Sequence, residues 1–229
     1  MNKNILDMTD EDLKNLKMLT LDDSFIFNCK ACGKCCKNRH DIILTPYDMF
    51  RIAQHFGRTT LDIFKRYCEV YEGDQSHLPV VRLLPVPPEN SCPFLHKRKC
   101  RIHERKPVIC RVYPLARIIG ESVIGYYLHA VTCNHNPQSI TVREWIGDVA
   151  SEEAEHAGQL WGEIAKYVHA LMQPEVLQPE EARERALAHV FNLLWLQYDI
   201  KKEFVPQLQE NFERLKQKLA DDEGLDYPD

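Results

Sequence analysis

Apolar residues follow two different patterns along this chain. Before residue 137 they come in short runs, cut by prolines and by cysteines; from Thr141 onward they recur every three or four residues. In the first part, an acidic lead-in predicts one short helix over Thr9–Leu19 and ends in the apolar triplet Phe25-Ile26-Phe27, placed to pack the following segment against the core. Ile42-Ile43-Leu44 predicts a short extended piece. Thr45-Pro46-Tyr47-Asp48 then reads as a helix start, with Thr as N-cap, Pro at the first helical position and Asp in the first turn. That helix runs to Phe56 and stops at Gly57. A second helix from Thr60 carries Leu61, Phe64 and Cys68 on one face. Leu78–Leu84 predicts a strand, ended by Pro85, Pro87 and Pro88. The proline-punctuated stretch from Cys92 to Pro114 reads as loop, and Ile118-Ile119 with Val123–Leu128 as a hairpin.

The second part is helical throughout. Thr141-Val142-Arg143-Glu144 is a capping box. Ala157, Trp161, Ile164, Val168 and Leu171 form one stripe, separated by Pro174 and Pro179 from a second formed by Leu187, Phe191, Leu194 and Tyr198. A last helix shows Leu208, Phe212, Leu215 and Leu219. The expected fold is α+β: an irregular cysteine-rich metal-binding half with short strands and helices over residues 1–137, then a C-terminal helical bundle over residues 138–229. A chain of 229 residues with 44% hydrophobic residues can bury roughly 70% of its unfolded surface. A metal is therefore not needed to replace a missing core.

Charge sharpens the division. Net charge is −5 overall, but +5 over residues 1–137 and −10 over residues 138–229. The positive half is the one that holds all nine cysteines. Cations near a thiolate site stabilise its negative charge and keep the thiols deprotonated. A nucleic-acid footprint is the competing reading, and it is disfavoured by the acidic total and the absence of helix-turn-helix or finger spacing. The first 17 residues lack a basic region followed by an apolar core, and no apolar run approaches a membrane span. The expectation is a cytoplasmic protein with reduced thiols, no nucleic acid and no membrane partner. An odd cysteine count also rules out complete intramolecular disulfide pairing.

The chemistry is concentrated in Cys29, Cys32, Cys35 and Cys36, four thiols within eight residues, followed by Cys68, Cys92, Cys100, Cys110 and Cys133. In Cys-x2-Cys-x2-Cys each two-residue gap lets the backbone turn successive sulfurs toward one centre. With a distant Cys-Pro, here Cys92-Pro93, this is the three-plus-one pattern of a 4Fe–4S cluster. Gly33 allows a left-handed residue within the loop. Adjacent side chains rarely converge on one ion, so Cys36 is expected to serve a second centre with Cys100, Cys110 and Cys133, a set that suits tetrahedral zinc. His103 or His135 could replace one of these. Cys68 is left out as a buried, inert thiol. The bland alternative for the whole set is structural zinc without chemistry. A thioredoxin-like dithiol at Cys32-Gly33-Lys34-Cys35 would need a βαβ context that the pattern does not supply. The basic run Lys97-Arg98-Lys99-Arg101 reads either as a solvated loop or as a local counter-charge. No G-x-G-x-x-G, phosphate-binding loop, H-E-x-x-H or G-x-S-x-G is present.

Taken together, Cys29-x2-Cys32-x2-Cys35-Cys36, Leu44-Thr45 with Asp48, Cys92-Pro93-Phe94-Leu95, Cys100-Arg101-Ile102-His103-Glu104 and Arg105–Pro114 through to Cys133 resemble the YkgJ-type cysteine cluster family, which carries a zinc- or iron-chelating domain. The resemblance implies metal chelation by Cys29, Cys32, Cys35, Cys36, Cys92, Cys100, Cys110 and Cys133, with an iron–sulfur cluster (4Fe–4S) or zinc as cofactor. The family implies little beyond chelation; the expectation for this chain is an accessory or redox module acting through a protein partner. Where relatives read Tyr-Glu-x-Arg-Pro, this chain has His103-Glu104-Arg105-Lys106-Pro107; Lys106 keeps the charge but not the planar fork of arginine. More distantly, the cysteine pattern is similar to flagellin lysine-N-methylase. That implies an alternative, a methyltransferase-like enzyme using S-adenosylmethionine beside an iron–sulfur centre, although no recognisable S-adenosylmethionine site stands out.

Overall fold

Thr45 begins the first long helix as its residue type dictates. Its side chain accepts from the Asp48 N–H at 3.1 Å, and the Asp48 carboxylate accepts from the Thr45 N–H and hydroxyl, both at 2.9 Å. Two orphan donors of the first turn are thereby satisfied. This is seen in a computed structural model, which describes residues 18–119, 124–129 and 136–223. The predicted helix at Thr9–Leu19 lies almost wholly outside those residues; Leu19 itself forms a β-bridge with Tyr126.

The architecture is α+β. Helix α1 (Pro46–Phe56) ends at Gly57 in the left-handed conformation, and α2 (Thr60–Tyr67) follows behind a second capping box from Thr59 and Asp62. Strand β1 (Ser24–Phe27) precedes them; β2 (Cys68–Glu72) and β3 (Pro79–Leu83) form an antiparallel pair after them. A short hairpin of β4 (Leu95–His96) and β5 (Lys99–Cys100) leads to α3 (Val108–Val112). Next come the hairpin strands β6 (Leu115–Ile119) and β7 (Ile124–Leu128), then β8 (Gln138–Thr141). The helical part comprises α4 (Val142–Ile146), α5 (Glu152–Leu171), α6 (Glu180–Phe191) and α7 (Phe204–Glu223). Among the described residues no helix is long and apolar enough to cross a membrane.

Two apolar clusters carry the fold. The larger joins α1, α2, β3, α5, α6 and α7 around Phe50, Ile63, Phe94, Trp195 and Phe204. The smaller gathers Phe25, Phe27, Val112, Leu115, Tyr126, Val142 and Ile146. Strand β1 pairs with β8 from Ser24↔Thr141 to Phe27↔Gln138, so the start of the cysteine-rich part is hydrogen-bonded to the entry of the helical part. Phe25 and Phe27 are buried and Ile26 is exposed, as strand alternation requires.

The structure departs from the sequence reading in three places. Cys68 does not extend the α2 face; it opens β2 opposite Leu83 and stays buried. The stretch after Cys92, read as loop, holds β4, β5, a 3-10 turn at His103–Arg105 and α3. Lys97 and Arg98, both with positive φ, close the β4–β5 hairpin where a sequence reader looks for Asn-Gly. On α6 the innermost residues are Ala182, Ala186 and Val190, while Leu187 and Phe191 are only half-buried. Alanines let this helix come close to the core, and a π-helical turn at Asn192–Leu196 then rotates the register so that Leu193, Leu194 and Trp195 all face inward. The capped helix starts at Thr45 and Thr141, the β6–β7 hairpin and the α5 and α7 stripes agree with the sequence reading.

Asp48 does more than cap α1. Its other carboxylate oxygen accepts the N–H of Val108, the first residue of α3, at 2.8 Å. Burial pushes this carboxyl above its usual range even though these hydrogen bonds pull it down. Nearby, buried Arg51 ion-pairs with Asp148, and Arg111 of α3 donates to the Ile146 carbonyl at 3.0 Å. Gly147, with φ +54°, leaves the space that Arg111 fills; a Cβ there would come within 2.5 Å of Arg111 Nη2. Replacing Asp48 by Ala leaves the part-buried N–H groups of Thr45 and Val108 without their acceptor, and we expect Asp48→Ala to lose about 3 kcal/mol in urea unfolding of the full chain. A loss below about 1 kcal/mol would show that the carboxylate is dispensable.

Candidate metal centre

The cysteine loop begins where β1 ends and is shaped by two left-handed residues, Ala31 and Gly33. A Cβ on Gly33 would sit 3.1 Å from Leu95 Cδ1 and 3.3 Å from the Arg98 carbonyl, so the β4–β5 hairpin lies directly on this glycine. A 3-10 turn, Lys34–Cys36, then follows, with the Cys36 N–H on the Gly33 carbonyl. Backbone hydrogen bonds tie the loop to a second one: Asn38 N–H to Glu89 O, Arg39 N–H to Asn90 O, and Cys92 N–H to Cys36 O at 2.8 Å. This last bond brings Cys92 next to the cluster across more than fifty residues of sequence.

Cys29, Cys32, Cys35, Cys36, Cys92, Cys100 and Cys110 line one cavity of about 70 Å³. It lies at the seam of the two apolar clusters. Cys36, Cys92, Cys100 and Cys110 belong to or pack on the larger cluster, and Cys32 packs on the smaller. Cys29 is the exposed one, its sulfur accepting the Ala31 N–H. The Cys35 and Cys36 sulfurs, expected from the sequence to serve separate centres, are 3.9 Å apart and line the same cavity. Cys133 and His135 lie outside the described residues. Cys68 does not line the cavity, and burial raises its thiol to about 12. Among the described residues no three Cys, His, Asp or Glu side chains converge as placed on a single ion. The thiols surround a volume instead.

Charge around the cavity is graded. The thiol–thiol hydrogen bond from Cys36, helped by Lys106 and Arg39, holds Cys35 down to about 6 against its burial. The same hydrogen bond, with burial and the neighbouring thiolates, pushes Cys36 far up. Burial raises Cys92 to about 11 and raises Cys100 and Cys110 as well. Lys106 thus acts on the site as a point charge, which needs no guanidinium fork. Arg39, which the sequence reading passed over, donates Nη1 to the Cys35 carbonyl at 2.9 Å and is pinned by Asp41. Of the basic run, Arg98 lines the cavity, whereas Arg101 turns away to stack over Phe56 at 5.6 Å. Trp145 forms part of the wall; its indole N–H caps the end of α3 through the Val112 and Tyr113 carbonyls.

A family profile described as a "putative zinc- or iron-chelating domain", with the signature CxxCxxCC, matches residues 28–140. This part of the chain belongs to the cysteine cluster family. The matched residues include every cysteine that lines the cavity, along with Asp48 and Lys106. A relative from Methanocaldococcus jannaschii, the uncharacterized protein MJ0661, is 28% identical over 103 residues, covering 44% of this chain and 51% of that protein. The match thus spans about half the length of this relative. No solved structure matches. Metal binding by the cysteine cluster domain follows from the family; the helical remainder lies beyond the match.

The paired thiols give a direct check. In metal-stripped protein, iodoacetamide alkylation of Cys35 should titrate with a midpoint of about 6. In Cys36→Ser that midpoint should move up toward the ordinary thiol range. A Cys35 midpoint near the ordinary thiol value in unmodified protein would refute the pairing.

Proposed function

We propose that this cavity holds an iron–sulfur centre and that the protein works as a redox or accessory metal module with a protein partner. The observation that carries the reading of a thiolate centre is that seven thiols share one cavity. A closed zinc site and a cysteine-ligated cluster each take four protein thiolates, so what favours the cluster is the spacing of the donors, the triplet Cys29, Cys32 and Cys35 with the distant Cys92-Pro93. The donor set is all sulfur at depth, which suits iron–sulfur clusters and zinc and disfavours hard cations that take oxygen. The residues fit such a group: thiolates from Cys35 and its neighbours as ligands, Arg39 and Lys106 offsetting their charge, and backbone N–H groups of the left-handed loop near the sulfurs. A centre bound here supplies one-electron chemistry or a metal for transfer. Cys29, at the exposed lip, is where a partner would approach.

Anaerobic purification with iron, sulfide and zinc analysis and an absorption spectrum tests the reading. The expected result is a brown protein with a broad visible band and bound iron and sulfide. A colourless protein with stoichiometric zinc would overturn it. Cys32→Ser and Cys92→Ser should lower metal content, while Cys68→Ser should leave it unchanged; the reverse would overturn the ligand assignment.

A further inference from the structure

A second, larger cavity of about 690 Å³ lies on the other side of α3 from the thiols. Its volume falls within the range of small-molecule sites, roughly 300–1,000 Å³. The helix is a shared wall. Cys110 faces the thiol cavity, while Val108, Ile109 and Val112 line the larger one; Arg39 and Tyr113 border both. Ile43 and Leu115 complete an apolar lining. Ile43 and Ile109, both in the lining, are 47% and 37% exposed.

The polar groups of this cleft are unequally matched. Asp48 is buried and already accepts from Thr45 and Val108. Asp41 is held by Arg39 through two guanidinium nitrogens. Arg117 is different: its Nε is buried with no hydrogen-bond partner, and among the described residues its guanidinium forms no ion pair. A buried guanidinium N–H without an acceptor costs free energy and marks a place where an acceptor from outside the chain is expected. His129, the other basic group in the lining, is kept below its usual range by burial, so at neutral pH it offers a hydrogen bond rather than a second positive charge. Arg39 is paired with Asp41, so Arg117 is the cation of this lining that has no ion-pair partner among the described residues.

We propose that this cleft binds a small organic anion with an apolar body, its acid group held by Arg117 and its body laid along α3 between Ile43 and Ile109. A ligand in this position lies one helix from the thiol cavity and touches Arg39, which also holds the Cys35 loop. The binding does not depend on which metal the thiols hold, or on whether they hold one.

The test uses the full chain and the anionic aromatic probe 1-anilinonaphthalene-8-sulfonate. Saturable binding at one site is expected, displaced by octanoate and not by octylammonium. Arg117→Met should weaken it about tenfold or more, the loss of one charge-assisted contact, whereas Arg117→Lys should stay within about threefold. Ile109→Asp, at a half-exposed position that tolerates a polar residue, should also weaken binding; it decides the matter if circular dichroism shows Arg117→Met to be unfolded. Non-saturable binding, equal displacement by octylammonium, or binding unchanged in folded Arg117→Met would overturn the proposal. Metal content measured on the same samples keeps this outcome separate from that of the iron–sulfur reading.

Discussion

The Asp48 carboxylate is shared between two helices, and the cysteine-rich part depends on that sharing. One oxygen completes the α1 cap with Thr45, and the other takes the leading N–H of α3. Helix α3 has five residues, too few to be stable alone, yet it carries Cys110 and separates two cavities. Its position comes from the Asp48 contact at its start, Trp145 at its end and Arg111 along its side. Loop residues elsewhere in the site are held the same way, by backbone hydrogen bonds from residues 36–39 to residues 89–92. An irregular chain can present side chains reproducibly only where its own polar groups are satisfied against something regular.

The thiol cavity balances two opposing effects. Burial at the seam of two apolar clusters favours neutral thiols, and raises Cys92, Cys100 and Cys110. Arg39, Lys106 and the thiol–thiol hydrogen bond favour one thiolate at Cys35. Metal binding requires deprotonated sulfurs, so a site built this way couples loading to proton release. Arg39 and Lys106 bring part of the net charge of +5 in this part of the chain to bear on the thiols.

Two cavities with one wall form an arrangement that neither composition nor motif announces. Residues 108, 109 and 112 face one side of α3 and residue 110 the other, which is what a helical turn does with neighbours in sequence. Arg39 touches both spaces. Its guanidinium also donates to the Cys35 carbonyl, so one side chain borders both cavities and holds the cysteine loop.

The sequence by itself determined the helix starts at Thr45 and Thr141, the stripes of α5 and α7 and the β6–β7 hairpin. These are local properties: capping, periodicity and residue type act within a few residues. It misjudged the segment after Cys92, because Lys97 and Arg98 adopt left-handed conformations unusual for their residue types in a hairpin that lies against Gly33. It misplaced the inner face of α6, because a π-helical turn breaks the period on which stripe reading relies. It divided Cys35 from Cys36 on the rule that neighbours diverge, whereas a 3-10 turn brings their sulfurs to 3.9 Å. Arg39, Trp145, Arg117 and the larger cleft were invisible, since each gains its role from residues far away in sequence. Only the tertiary structure decided which cysteines share a space and which cation is left without a partner, because both depend on where two apolar clusters meet.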